Sequence, residues 1–212
     1  MEEQMKKPPI LLKKLSRKES QPGKLVIGVL GTHIGVGVTH LCLLLANYLS
    51  EWLGKKVAYI ECYPRKDIQH LQYIYEGSEK GMEKGYFHIH RVTYFKCVRP
   101  MEIAEVIGGS YDCIILDMGT EFTKNQNEFL RCDLKLVISS LVPWKQQELE
   151  KFLEHTKHVK QSEEWLYLIP FGQKEDIKQI SKEMGRKFYS VPYEPDPFVL
   201  SAETIYFFQI FI

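Results

Sequence analysis

The 212-residue sequence predicts an α/β fold: a doubly wound, mainly parallel sheet of about seven strands with helices on both faces. Three observations predict it. Short β-branched apolar runs alternate with longer stretches of helical length and composition. Apolar residues make up 44% and charged residues 26%, which is ordinary for a globular chain and excludes a disordered or collagen-like one. A chain of this length buries about 70% of its unfolded surface, enough for a full core without disulfide or metal staples.

The elements follow in order. Residues 1–24 read as a flexible basic arm, with seven Lys/Arg against three Glu and a Gln-Pro-Gly turn signal near its end. A single domain then fills 25–212. Its first strand is 24–30 (KLVIGVL), followed by a glycine-rich turn at 31–37. Residues 39–53 are Leu- and Ala-rich and predict a helix, stopped by Gly54. Residues 56–62 (KVAYIEC) predict the second strand. A helix over 65–76 places Ile68, Leu71, Ile74 and Tyr75 on one face. Residues 86–98 read as a β-hairpin or a strand plus an edge, and 101–107 as a short helix ended by Gly108-Gly109. Buried strands follow at 111–118 (YDCIILDM) and 134–139 (LKLVIS), the latter leading into a helix through about residue 159. The last strands, 165–169 and 188–191, flank a helix over 174–184 with Gly185 at its end. No repeat or low-complexity segment interrupts the pattern.

Charge and cysteine usage narrow the function. Beyond residue 24, 21 Lys/Arg stand against 24 Asp/Glu, so the body is slightly acidic and argues against a nucleic-acid partner. The five cysteines (Cys42, Cys62, Cys97, Cys113, Cys132) form no CxxC pair and lie in apolar stretches, so they read as reduced, buried thiols. No apolar h-region opens the chain, and no run reaches the ~18–20 apolar residues of a membrane span, so the expectation is a cytoplasmic protein. Residues 203–212 (ETIYFFQIFI) lack the basic polar face of a membrane-surface helix and read as a helix packed on the sheet. The arm, with Ile10, Leu11, Leu12 and Leu15 beside Lys13 and Lys14, is the better candidate for contact with the inner face of an acidic membrane.

In a doubly wound sheet, ligands sit beyond the carboxyl ends of the strands. The candidate site is therefore the turn Gly31-Thr32-His33-Ile34-Gly35-Val36-Gly37-Val38-Thr39-His40. Its glycines allow close backbone approach to an anion, and successive N–H groups at a helix start point toward it. A nucleotide-hydrolysing turn reads GxxxxGK[ST]; aligned on Gly37 and Thr39, Val38 takes the lysine's place. That lysine carries positive charge to the β- and γ-phosphates, and losing one such contact costs orders of magnitude in rate. Valine supplies neither charge nor donor.

The turn, the strand Tyr111–Met118 with its Asp117, and the segment Val191-Pro192-Tyr193-Glu194-Pro195-Asp196 together resemble the ParA/MinD family of deviant Walker-A ATPases. The nearest flavour is the CpaE/TadZ branch, associated with bacterial pilus and polar-localisation machinery, and the resemblance spans 24–212. The family turn KGGVGKT stands here as His33-Ile34-Gly35-Val36-Gly37-Val38-Thr39, so His33 and Val38 replace its two lysines. The family's second strand ends DAD-P; here Glu61-Cys62-Tyr63-Pro64 keeps one acid and puts Tyr63 where the water-positioning acid would be.

The resemblance implies a nucleotide site of Gly35, Val36, Gly37, Val38, Thr39 and Asp117 for ATP or ADP, with Thr39 and Asp117 on magnesium. The lost lysines imply no catalytic residue and a non-hydrolysing scaffold or regulator in a pilus, secretion or positioning system. Its expected partners are a second copy or an active ParA/MinD-like ATPase. The alternative is a weak ATP-binding protein or slow ATPase using Thr39, Glu61 and Asp117, with Lys55, Lys56 or Arg65 standing in for the lysine. The bland reading of the same residues is an inherited tight turn, with Asp117 hydrogen-bonding within it and Glu61 a surface carboxylate. His33 and His40, seven apart, match no common metal-ligand spacing even with Glu61 nearby, and Trp144 reads as packing.

Overall fold

The computed structural model describes residues 23–63, 66–77 and 83–212. The predicted arm, apart from Gly23 and Lys24, lies outside them, as does Arg65.

Eight strands form one sheet, one more than the count expected. They are β1 (Leu25–Gly31), β2 (Val57–Glu61), β3 (Tyr86–Ile89), β4 (Val92–Phe95), β5 (Cys113–Asp117), β6 (Leu134–Ile138), β7 (Leu166–Pro170) and β8 (Phe188–Val191). Their order is β3-β4-β2-β5-β1-β6-β7-β8. All neighbours are parallel except the β3–β4 hairpin, which closes one edge. The strand order reverses around β1, with β5 on one side and β6 on the other, and this is the switch point where such sheets hold ligands.

The helices are α1 (Val38–Asn47), α2 (Asp67–Glu76), α3 (Pro100–Gly108), α4 (Phe122–Arg131), α5 (Gln146–Thr156), α6 (Lys174–Met184) and α7 (Ala202–Gln209). Side chains alternate across the strands, so each face builds its own core. On one face Leu41, Leu44 and Leu45 of α1 and Phe207 and Phe208 of α7 cover Ile27, Val29, Tyr59, Ile115 and Leu136. On the other, Phe122 and Phe129 of α4 and Leu149, Phe152 and Leu153 of α5 cover Ile60, Ile114, Leu116, Val137 and Tyr167.

Several expectations change. The helix predicted over 39–53 becomes α1 followed by a wider π turn, Tyr48–Trp52, in which the Leu53 N–H donates to Tyr48 O. The helix α4 was not anticipated, because Phe122–Arg131 is mostly polar; Asn125 fills the buried stripe between Phe122 and Phe129 by donating to Met118 O. In α2 the buried residues are Ile68 and Gln72, while Ile74 and Tyr75 face outward. All five cysteines are free; Cys42, Cys113 and Cys132 are buried, Cys62 is half-buried and Cys97 is exposed, against the expectation of five buried thiols. No helix among the described residues is long and apolar enough to cross a membrane.

Candidate functional site

The turn between β1 and α1 combines two positive-φ glycines with a helix start. Gly35 has φ 80° and Gly37 φ 104°, conformations that L side chains rarely adopt. Gly37 is the N-cap of α1, so the helix presents its first, intrahelically unpartnered N–H groups to the carboxyl edge of the sheet.

Its charges are missing in three dimensions as well as in sequence. The Val36 and Val38 side chains turn downward and close on Gly31, where an added Cβ would lie 2.6 Å from each valine. Val38 is thus part of the core and contributes nothing above the turn. The His33 Nδ1 lies 3.1 Å from the Thr32 hydroxyl, which in turn lies 2.8 Å from that of Ser139. Burial first, and the nearby Lys145 charge second, lower the His33 pKa, so the imidazole is neutral at pH 7. The His40 Nε2–H donates to Glu194 O at 2.7 Å. Glu61 meets neither histidine's described partners, so these three residues form no common cluster.

The structure brings Thr39 and Asp117 together in a hydrogen bond. The Thr39 hydroxyl donates to Asp117 Oδ2 at 2.8 Å. Asp117, 0% exposed, also accepts from the Tyr59 hydroxyl at 2.6 Å and the Tyr63 hydroxyl at 3.2 Å on the same oxygen, and from the Gly119 N–H at 3.2 Å on the other. Burial pushes the Asp117 pKa up, and these donors hold it back. The Tyr63 hydroxyl lies 2.7 Å from the Thr39 hydroxyl, so it touches both members of the pair. Its ring rests on Gly119 (φ 58°), where a Cβ would stand 2.8 Å from Tyr63 Cδ1.

A hydroxyl and a carboxylate are the oxygen donors that Mg²⁺ favours, usually beside waters and phosphates. Here the space facing both is taken by a phenol, and the residues as arranged do not fit a magnesium-bound nucleotide. The contacts of the Tyr59 and Tyr63 hydroxyls with Asp117 were not read from the sequence. The signal for Tyr59 is the period-2 alternation of β2, which puts Val57, Tyr59 and Glu61 on the α1 face.

Glu61 is not the surface carboxylate expected; it is 1% exposed. It pairs in register with Asp117 on the neighbouring strand. Its Oε2 accepts from the Cys97 N–H at 3.1 Å and the Cys97 thiol at 3.2 Å, while Oε1 is buried with no partner among the described residues. Burial raises its pKa, and the Cys97 bonds together with the Ile68 backbone N–H only partly offset this. Lys55 and Lys56 stand before β2, at the opposite end of the strand from the turn, and do not supply the missing charge.

Apolar side chains ring the same edge. Ile34 is exposed in the turn, and Trp144, expected to be packed, is 78% exposed on the short 3-10 turn Pro143–Lys145 after β6. Phe171, after β7, is 77% exposed with φ 59°, an unfavourable conformation for a bulky residue, and its ring lies 5.7 Å from that of exposed Tyr193.

Fold and site together define a doubly wound α/β protein built around a phosphate-loop-like turn and an acid at the end of the adjacent strand. No family model matches the sequence, and no curated protein matches it. Solved structures of ParA and MinD proteins share its fold. A putative plasmid partition protein from Borrelia burgdorferi, bound to AMPPNP, superposes with a TM-score of 0.62 at 14% identity, covering 88% of this chain and 96% of that one. A ParA family ATPase from Chlorobium tepidum gives 0.60 at 14% identity, covering 90% and 91%. MinD in a MinC:MinD cell division complex from Aquifex aeolicus gives 0.59 at 18% identity, covering 81% and 82%. At these identities the likeness is one of fold.

Proposed function

We propose that this chain is a ParA/MinD-like protein with a degenerate phosphate turn, which does not hydrolyse nucleotide and acts as a scaffold or regulator through protein–protein contacts. Its setting is a bacterial positioning or partition system, of which pilus and secretion machinery of the CpaE/TadZ type are the specific cases. The observation that carries the reading is the direction of Val38. In the phosphate-lysine position the side chain is buried against Gly31, and the neighbouring His33 is neutral, so the described turn holds no fixed cation. Hydrolysis depends on such a charge as the transition state develops. Exposed Ile34, Trp144, Phe171 and Tyr193 on the same edge support contact with another protein, the partner being a second copy or an active ParA/MinD-like ATPase. The basic sequence of residues 1–24 adds contact with an acidic membrane in this reading.

The test is phosphate release from ATP and Mg²⁺ by the purified protein and by Thr39→Ala. Both are expected at the buffer background. A wild-type rate that Thr39→Ala abolishes would overturn the reading in favour of a slow ATPase. Light scattering of the chain, alone and mixed with a ParA/MinD-type ATPase, then measures which assembly forms.

A further inference from the structure

We propose that the Tyr63 phenol is a built-in occupant of the position between Thr39 and Asp117, and that it makes the turn indifferent to magnesium.

The geometry is specific. One phenolic oxygen lies 2.7 Å from the Thr39 hydroxyl and 3.2 Å from Asp117 Oδ2, and these two groups are themselves 2.8 Å apart. The three oxygens form a closed triangle. A divalent cation held by the same hydroxyl and carboxylate needs both lone-pair directions that this triangle uses. The tyrosine is not loosely placed. Its ring lies on Gly119, whose missing side chain leaves the room the ring occupies, and the Gly119 N–H is itself bonded to Asp117 Oδ1. The other donor to Oδ2, Tyr59, is fully buried at 2.6 Å. The carboxylate is therefore held by Tyr59, Thr39 and Gly119, with the single Tyr63 proton shared between Asp117 Oδ2 and the nearer Thr39 oxygen. A cation would have to displace at least one of them, and Tyr63 is the long, half-buried contact at the rim.

The inference rests on the reading of the turn as a degenerate phosphate turn and adds the residue that sets its metal dependence. The experiment uses fluorescent-labelled ADP as the probe, followed by polarisation in excess Mg²⁺ and in EDTA, on the full chain. For the wild type, titrations with and without the metal should coincide. Tyr63→Phe keeps the ring on Gly119 and removes the hydroxyl; it should bind the probe at least tenfold more tightly with Mg²⁺ than in EDTA. Adding Asp117→Asn should remove that gain. Tyr63→Ala should gain the same dependence, which guards against a ring held in place by other contacts. The proposal is overturned by a tenfold Mg²⁺ dependence in the wild type that Asp117→Asn removes. It is equally overturned if both folded Tyr63 variants show none. Phosphate release by the wild type decides the earlier reading separately, because the variant titrations detect binding without turnover.

Discussion

Tyr59→Phe offers the sharpest test of how the site is held together. The change removes one oxygen and keeps a ring that is fully buried and tilted against Tyr94 at 5.3 Å between centroids. The lost hydroxyl donates at 2.6 Å to Asp117 Oδ2. A hydrogen bond to a charged group contributes about 1.5–3 kcal/mol, and breaking one leaves a buried carboxylate short of a donor. Thr39 and Gly119 still donate and the Tyr63 hydroxyl stays within reach, so a loss of about 2 kcal/mol is expected at neutral pH. With a urea m-value of about 2 kcal/mol/M, the midpoint falls by about 1 M. The pH dependence gives a second, independent signature. Burial holds the folded-state pKa of Asp117 above its unfolded value. Stability from this group is thus greatest below the unfolded pKa and is lost as pH rises through the folded one. Tyr59 is a donor that favours the charged form and so limits the upward shift, so the variant's deficit should be larger at pH 7 than at pH 4, because the carboxyl takes up its proton as pH falls. Urea unfolding followed by far-UV circular dichroism at both pH values measures it. An unchanged midpoint at pH 7, or an equal deficit at the two pH values, would refute a charged, donor-held Asp117.

Other outcomes follow from the same contacts. Glu61→Gln removes a buried acid whose folded pKa is raised and whose Oε1 has no partner among the described residues. Its stability at pH 8 should stay within about 1 kcal/mol of wild type, and its decline with rising pH should be shallower; a large loss at pH 8 would show that the charge is needed. Gly31→Ala drives a methyl to 2.6 Å from Val36 and Val38 and should cost about 1–3 kcal/mol by overpacking, read as a lower Tm. Phe171→Gly relieves a positive φ at an exposed position and should raise stability by about 1 kcal/mol. If the edge docks a partner, the same change should weaken the assembly seen by light scattering.

The sheet was legible because strand runs such as CIILD and LKLVI are apolar at four of five positions, as strands buried on both faces are. Helix α4 was not, because three turns with a polar majority carry little periodic signal and Asn125 stands where an apolar residue would mark the stripe. Thr39 and Asp117 could be paired from their positions in the turn and the strand. The state of the pair could not, because the donors come from β2 and from the turn after it, and only the parallel register sets Glu61 beside Asp117 and brings Tyr59 within reach. Glu61 looked exposed at a strand end because the residue that covers it, Cys97, comes from the far side of the hairpin, 36 positions away.

One tie described above joins the two ends of the domain. His40, directly after Thr39, holds Glu194 O, and the Glu194 carboxylate accepts from Ser201 N–H and the Thr204 hydroxyl at the start of α7. The first turn of α1 and the capping of α7 therefore share a single residue, 154 positions along the chain from His40. Any movement that lifts the start of α1 pulls on the backbone of the residue whose carboxylate steadies the last helix. The carboxyl-terminal segment thus works as a strain gauge for the glycine turn, and the amides of α7 should exchange with solvent in step with those at the start of α1.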